Sequence, residues 1–193
     1  MSKTTPNLGQ CNLRYIPSSK AFAIFTGPMK KNNVPSFNEI YMNLASNLAL
    51  RSHCVKQQVG AVLTKDTRIV SLGYNGPPAG THNCDEEWPE TGCARDRKGS
   101  CYLALHAEAN AILYAAKNKV DLEGSTLYVT LSPCLPCARI ILSVGIKQVF
   151  YLNSYAAYKG IEVDEGVDFL RKFGVVVTQL SLTQDQTVHM NVQ

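Results

Sequence analysis

His106-Ala107-Glu108 and Pro133-Cys134-Leu135-Pro136-Cys137 together restrict this chain more than any other feature, because the fold must carry both motifs to one point. Two thiolates and an imidazole are three soft ligands, and Zn²⁺ held by three protein ligands keeps its fourth tetrahedral position open. Structural zinc sites are closed, so this ligand set points to catalysis. Glu108 is not needed on the metal and is free to carry protons.

The spacing says where the motifs sit. Cys134 and Cys137 are three apart, so on one helix they share a face. Pro133 suits a helix start because it has no backbone N–H to leave unpaired. The partial positive charge of a helix N-terminus favours thiolates. His106 and Glu108 are two apart and would diverge by about 200° in mid-helix, so they converge only if a helix begins near His106. A lone C-x-x-C is equally a structural knuckle or a redox pair; joined to His-x-Glu, it reads as half of a catalytic centre.

At 193 residues the chain is long enough for one well-packed domain rather than two. Hydrophobic residues make up 45% and charged residues 18%, a soluble globular balance. The net charge of +4 comes without a dense Lys/Arg run, which disfavours an extended nucleic-acid footprint and agrees with a small anionic ligand. Seven cysteines, two of them in the metal motif, do not read as a secreted disulfide framework. With no apolar run before Pro6, and Ala21 to Phe25 too short to span a bilayer, the expectation is a reducing, cytoplasmic compartment and no membrane partner.

Residues 1–35 show no sustained period and form an N-terminal extension of unassigned role, which includes Cys11. Ser36-Phe37-Asn38-Glu39 reads as a capping box ahead of Ile40, Tyr41, Leu44, Ala45, Leu48 and Ala49 at helical spacing. Val59–Thr64 and Arg68–Gly73 read as a hairpin around Lys65-Asp66-Thr67, followed by a loop from Asn75 to about Ser100. Helices are expected over His106–Asn118, Cys134–Val144 and Glu165–Phe173, and strands over Thr126–Leu131, Gln148–Leu152 and Val175–Gln179. This order gives an α/β fold for residues 36–180, with a C-terminal tail over 181–193. The metal then lies at the carboxyl end of strand Thr126–Leu131, where open α/β sheets place ligands.

The H-x-E and P-C-x-x-C pair is a signature of zinc nucleobase deaminases. From Phe37 to about Leu180, with Thr130-Leu131-Ser132 leading into the Cys motif and Gly145-Ile146-Lys147 after it, the chain resembles the cytidine/deoxycytidylate deaminase superfamily. Gly73-Tyr74-Asn75-Gly76-Pro77-Pro78-Ala79-Gly80 and the cysteine-containing insert before His106 resemble its dCMP deaminase branch. The resemblance implies a three-layer α/β/α sandwich on a mixed five-stranded sheet. It implies catalytic zinc on His106, Cys134 and Cys137, and hydrolysis of dCMP to dUMP and ammonia, which supplies dUMP for dTTP synthesis. Glu108 would move the proton to N3 and then to the leaving amine.

The same resemblance gives roles to further residues. The Ala107 N–H would hold the pyrimidine carbonyl, backbone near Ser132 would accept from the exocyclic amine, and Asn75 would reach the sugar. Tyr155 is either a ring over the substrate or an ordinary core or surface tyrosine. Ser52 and Lys56 lie in a region from which relatives reach the 5′-phosphate. Gly73, Tyr74, Asn75, Gly76 and Gly80 are either turn punctuation or, with Lys117, a site for dCTP as activator and dTTP as inhibitor. Cys54, Cys84, Cys93 and Cys101 are either unconnected thiols or the ligands of a second, structural zinc, with His82 as the alternate. A homo-oligomer, in the family's manner a hexamer, is expected. Alternatives are a cytidine nucleoside deaminase, a dual dCMP/dCTP enzyme, a tRNA or polynucleotide editor, and a non-catalytic zinc scaffold; the intact Glu108 speaks against the last.

Overall fold

The computed structural model describes residues 34–97, 99 and 101–181. Expectations for residues 1–33, Cys11 among them, and for 182–193 lie outside the described residues.

Helix α1 (Phe37–Ala49) begins at the expected capping box. The Ser36 N–H donates to Glu39 Oε2 at 2.5 Å, and the Glu39 N–H donates to Ser36 Oγ at 3.3 Å. Strands β1 (Gly60–Lys65) and β2 (Arg68–Tyr74) follow as an antiparallel hairpin. Its turn is the two residues Asp66 and Thr67, both at positive φ, 49° and 58°. That is the backbone twist a two-residue hairpin loop requires. The Tyr41 hydroxyl donates to the Thr67 carbonyl at 2.7 Å and pins the turn to α1.

The insert after β2 is not wholly loop: it contains a short helix α2 (Cys84–Glu87). Asn83 starts it, its backbone N–H and its side-chain amide both donating to Glu86. Helix α3 (Ala107–Lys117), strand β3 (Thr126–Leu131), helix α4 (Leu135–Ser143) and strand β4 (Gln148–Asn153) come next. A second short helix that periodicity did not signal, α5 (Tyr155–Lys159), precedes α6 (Glu165–Lys172) and β5 (Val176–Gln179). Five residues are too few to show a helical period, but α5 has its own punctuation. Ser154 Oγ accepts from the Ala157 N–H, and Gly160 ends the helix at φ 66°.

The sheet has five strands in the order β2-β1-β3-β4-β5. β1 is antiparallel to both neighbours, whereas β3, β4 and β5 run parallel. Strand alternation then sorts the side chains into two cores. Val62, Tyr128 and Phe150 face Tyr41, Met42 and Ala45 of α1. Ala61, Leu63, Leu127, Val129, Val149 and Tyr151 face the opposite way, against Ala111 and Ile112 of α3, Ala138 and Ile141 of α4, and Val167 and Leu170 of α6. The result is the expected three-layer α/β/α sandwich. Burying each of these aliphatic side chains contributes about 1.5–3 kcal/mol, so the second core is a firm base for the helix starts above it.

Candidate active site

Both ligand motifs open helices. His106 is the N-cap of α3 and Cys134 the N-cap of α4, each with extended backbone (φ/ψ −70°/155° and −68°/164°) and neither with a side-chain capping bond. An N-cap side chain ordinarily turns back onto the first N–H groups; here both are left for a ligand. This corrects one detail of the sequence reading. Cys134 precedes the helix instead of sharing a face with Cys137, and the proline inside the first turn is Pro136, not Pro133.

His106 Nδ1 lies 3.3 Å from Cys134 Sγ and 3.4 Å from Cys137 Sγ. All three ligand atoms fall within 4.8 Å of one another, the one such group of metal-binding side chains among the described residues. Tetrahedral zinc, with bonds near 2.3 Å to sulfur and 2.0 Å to nitrogen, sets nitrogen and sulfur roughly 3.5 Å apart. The spacing and the donor set therefore fit zinc.

A hydrogen bond with Cys134 raises the His106 imidazole to about 9, against the opposing effect of partial desolvation of a residue that still reaches solvent. The thiol of Cys137, donating to Cys134, lowers the latter to about 4, with His106 adding to the shift. The Cys134 thiolate in turn pushes Cys137 up, so the pair holds one thiolate and one thiol.

Glu108 sits in the first turn of α3, only 4% exposed, and burial raises its carboxyl to about 7. A carboxyl poised near neutrality can both take and give a proton at working pH. It lines a cavity of about 320 Å³ together with His106, Ala107, Ser132 and Cys134, a size suited to a small molecule. β3 delivers the chain to this floor, and Gly73 of β2 lets α3 lie against the sheet, since a Cβ there would overlap the Ala107 carbonyl oxygen.

The remaining expected residues separate. Asn75, Tyr155 and Lys56 also line the cavity. The Asn75 amide is tied into the wall, accepting from the Val59 N–H at 2.7 Å and donating to the Gln57 carbonyl at 2.8 Å. Ser52 is not on the cavity: its buried hydroxyl donates to the Asn75 carbonyl at 2.7 Å. Of the proposed effector loop Gly73–Gly80, Asn75 alone reaches the cavity. Gly76 pairs with Leu105 just before α3, while Lys117 is exposed in the last turn of that helix. Those two are separated by the helix length, roughly 16 Å at 1.5 Å per residue, so the structure does not bring them together.

Cys54, Cys84, Cys93 and Cys101 are free thiols, of which Cys54 and Cys101 edge the cavity. Cys93 and Cys101 are hydrogen-bonded, and Cys84 is raised by burial, with Cys101, Cys93 and Cys54 adding to the shift. They are not gathered at ligand spacing, and His82 is exposed outside any such group among the described residues.

The mouth holds residues the sequence reading missed. Tyr158 and Lys159, both on α5, line it together with Lys56. Lys159 Nζ lies 5.7 Å and 5.3 Å from the Tyr155 and Tyr158 ring centres. Lys56 Nζ donates to the Gly99 carbonyl at 3.1 Å, and the Tyr158 hydroxyl reaches the Lys56 carbonyl at 3.4 Å. The cavity therefore has one carboxylate at its floor and two ammonium groups at its rim, a polarity suited to a ligand with an anionic outer end.

Comparison with known proteins follows the same line. The chain is 36% identical over 162 residues to the deoxycytidylate deaminase of Saccharomyces cerevisiae, covering 81% of this chain and 48% of that one. It spans about half or less of the length of the two yeast relatives, 38% for that of Schizosaccharomyces pombe. Against the deoxycytidylate deaminase of Mycobacterium phage D29 it is 39% identical, over 61% of this chain and 94% of the phage protein. The crystal structure of dCMP deaminase from cyanophage S-TIM5 in complex with dCMP and dUMP superposes with a TM-score of 0.64 at 34% identity, covering 76% of this chain and 98% of that one. Residues 35–153 match the family model for the cytidine and deoxycytidylate deaminase zinc-binding region, a span that includes every ligand of the His-Cys-Cys centre and Glu108; the chain belongs to the cytidine and deoxycytidylate deaminase family.

Proposed function

We propose that the protein deaminates dCMP hydrolytically to dUMP and ammonia, within a catalytic unit of residues 36–180. The observation that carries this reading is the polarity of one cavity, with the His-Cys-Cys centre and Glu108 at the floor and Lys56 and Lys159 at the rim. A pyrimidine fits the floor and a 5′-phosphate the rim. The chain's similarity to a cyanophage enzyme crystallised with dCMP and dUMP supports the same substrate.

His106, Cys134 and Cys137 would hold zinc, which when bound supplies Lewis-acid activation of water. Glu108 does the proton work: it takes one proton from the attacking water and passes it to N3 of the pyrimidine, then takes the remaining proton of the hydroxyl added at C4 and delivers it to the departing amine as the C4 carbonyl forms. Its burial keeps the carboxyl near 7, so both transfers are within reach at neutral pH. The Ala107 N–H at the start of α3 would bind the pyrimidine carbonyl, and the Ser132 carbonyl would accept from the exocyclic amine. Tyr155 covers the ring, and Asn75 stiffens the wall beside the sugar. Lys56 and Lys159 receive the phosphate, with Tyr158 holding Lys56 by its backbone.

The reading has four finer parts. A second zinc on Cys54, Cys84, Cys93 and Cys101 is favoured by the mutual proximity of the thiols and requires them to close in around the ion. Regulation by dCTP and dTTP would involve Gly73–Gly80, with Lys117 acting from a separate position. Assembly into a homo-oligomer is supported by exposed Leu113 and Tyr114 on α3 and Ile69 and Leu72 on β2. A cytoplasmic location agrees with the six free cysteines among the described residues, where no helix is long and apolar enough to cross a membrane.

The test is a comparison of dCMP, dCTP, deoxycytidine and a tRNA anticodon stem as substrates. Preference for dCMP supports the reading; equal rates with deoxycytidine would move the protein to the nucleoside deaminases.

A further inference from the structure

Ser132, two residues before the ligand Cys134, is 2% exposed, yet both hydrogen-bonding functions of its hydroxyl are engaged by distant segments. The hydroxyl donates to Asp164 Oδ2, and its oxygen accepts the Tyr155 N–H at 2.7 Å. Its backbone N–H donates to the Asn153 carbonyl at 2.8 Å. Ser132 lines the cavity with only its carbonyl left to offer a ligand.

Asp164 is the residue on which this arrangement converges. The same Oδ2 accepts from the Ser154 hydroxyl at 3.1 Å, and Ser154 starts the helix that carries Tyr155. Asp164 is the N-cap of α6, where an aspartate normally bonds the first-turn N–H groups, but it makes no side-chain capping bond. Its second oxygen, Oδ1, is buried without a hydrogen-bond partner, which costs stability. A carboxylate that forgoes its local cap and leaves one oxygen unpaired is held there for its distant partners. The approach also depends on Gly166, since a Cβ at that position would overlap the Pro133 carbonyl oxygen.

We propose that Asp164 is a positioning residue for the deamination. It fixes the Ser132 carbonyl at the cavity floor and Tyr155 over the cavity from one carboxylate oxygen, so that the amine acceptor and the covering ring keep a constant relation to Cys134. This rests on the deaminase reading above. The step it serves is orientation of the leaving amine, so its loss falls on kcat more than on KM.

The test uses the full-length zinc-loaded protein, with rates normalised to bound zinc and measured well below each variant's Tm. Asp164→Ala should lower kcat for dCMP roughly tenfold to a hundredfold, the range for small misplacements of reacting groups, with KM changed less than about threefold and zinc content unchanged. Asp164→Asn keeps an acceptor oxygen and should recover most of kcat. Ser132→Ala should lower kcat similarly, and the double variant Ser132→Ala/Asp164→Ala should be no worse than the poorer single one. Wild-type kcat in Asp164→Ala, whatever its Tm, overturns the proposal, as do losses that multiply in the double variant. If Asp164→Ala does not fold, Ser132→Ala alone decides: wild-type kcat there also overturns it. No wild-type turnover of dCMP would instead remove the deaminase reading, and the proposal with it.

Discussion

His106 Nδ1 and Cys134 Sγ are 3.3 Å apart across 28 positions of sequence because each residue is the N-cap of its own helix. Two helix starts on one face of the sheet bring two partial positive charges to the centre. That favours the Cys134 thiolate before any metal arrives.

Metal binding must displace protons from this site. His106 is raised to about 9 and Cys137 is also raised, so in the metal-free protein both are protonated at neutral pH. Zinc must release them to use both ligands, and affinity therefore rises with pH and falls on acidification. Competitive zinc titrations at pH 6, 7 and 8 should show steadily tighter binding with net proton release. Affinity independent of pH would contradict the assigned protonation.

Replacing Glu108 by Gln removes the proton carrier without touching a ligand. Zinc content should stay at the wild-type value while kcat falls on the order of 10²–10⁴-fold, the usual range for general acid/base groups. Metal analysis beside steady-state rates checks both halves.

Cys134→Ala should behave differently from Glu108→Gln. With one of three ligands gone, zinc content and activity should fall together, and restoring excess zinc should not return full rate. A variant that keeps stoichiometric zinc and full activity would remove Cys134 from the ligand set.

Lys159 is exposed at the rim, so its substitution tests recognition more than folding. Lys159→Ala should lower kcat/KM for dCMP about 10–100-fold, equivalent to one charge-assisted hydrogen bond, while leaving the rate with deoxycytidine nearly unchanged. Equal losses on both substrates would assign Lys159 to stacking on Tyr155 and Tyr158 instead.

The sequence carried the site floor because its chemistry is local: the two motifs name the ligands and the free carboxylate by residue type and spacing. The alternation of strand and helix patterns likewise carried the sandwich. The rim was illegible for a physical reason. Lys159 and Tyr158 sit on a five-residue helix with no measurable period, and Tyr158 meets Lys56 through a fold contact spanning 102 positions. Asp164 was hidden similarly, since an aspartate ahead of a helix reads as a cap and only the packing shows its carboxylate turned toward Ser132. The position of Ser52 was misjudged because nearness to β1 in sequence does not reveal that its hydroxyl lies beneath Asn75.

If one cavity joins a deamination centre to a phosphate-reading rim, kcat/KM of the zinc-loaded protein must differ between dCMP and deoxycytidine. Steady-state assays should yield dUMP and ammonia in equal amounts from dCMP, with dCMP favoured at least about 10-fold over the nucleoside, as expected when a site built for an anion meets a ligand lacking it. Absence of dUMP, or equal kcat/KM for the two, would contradict it.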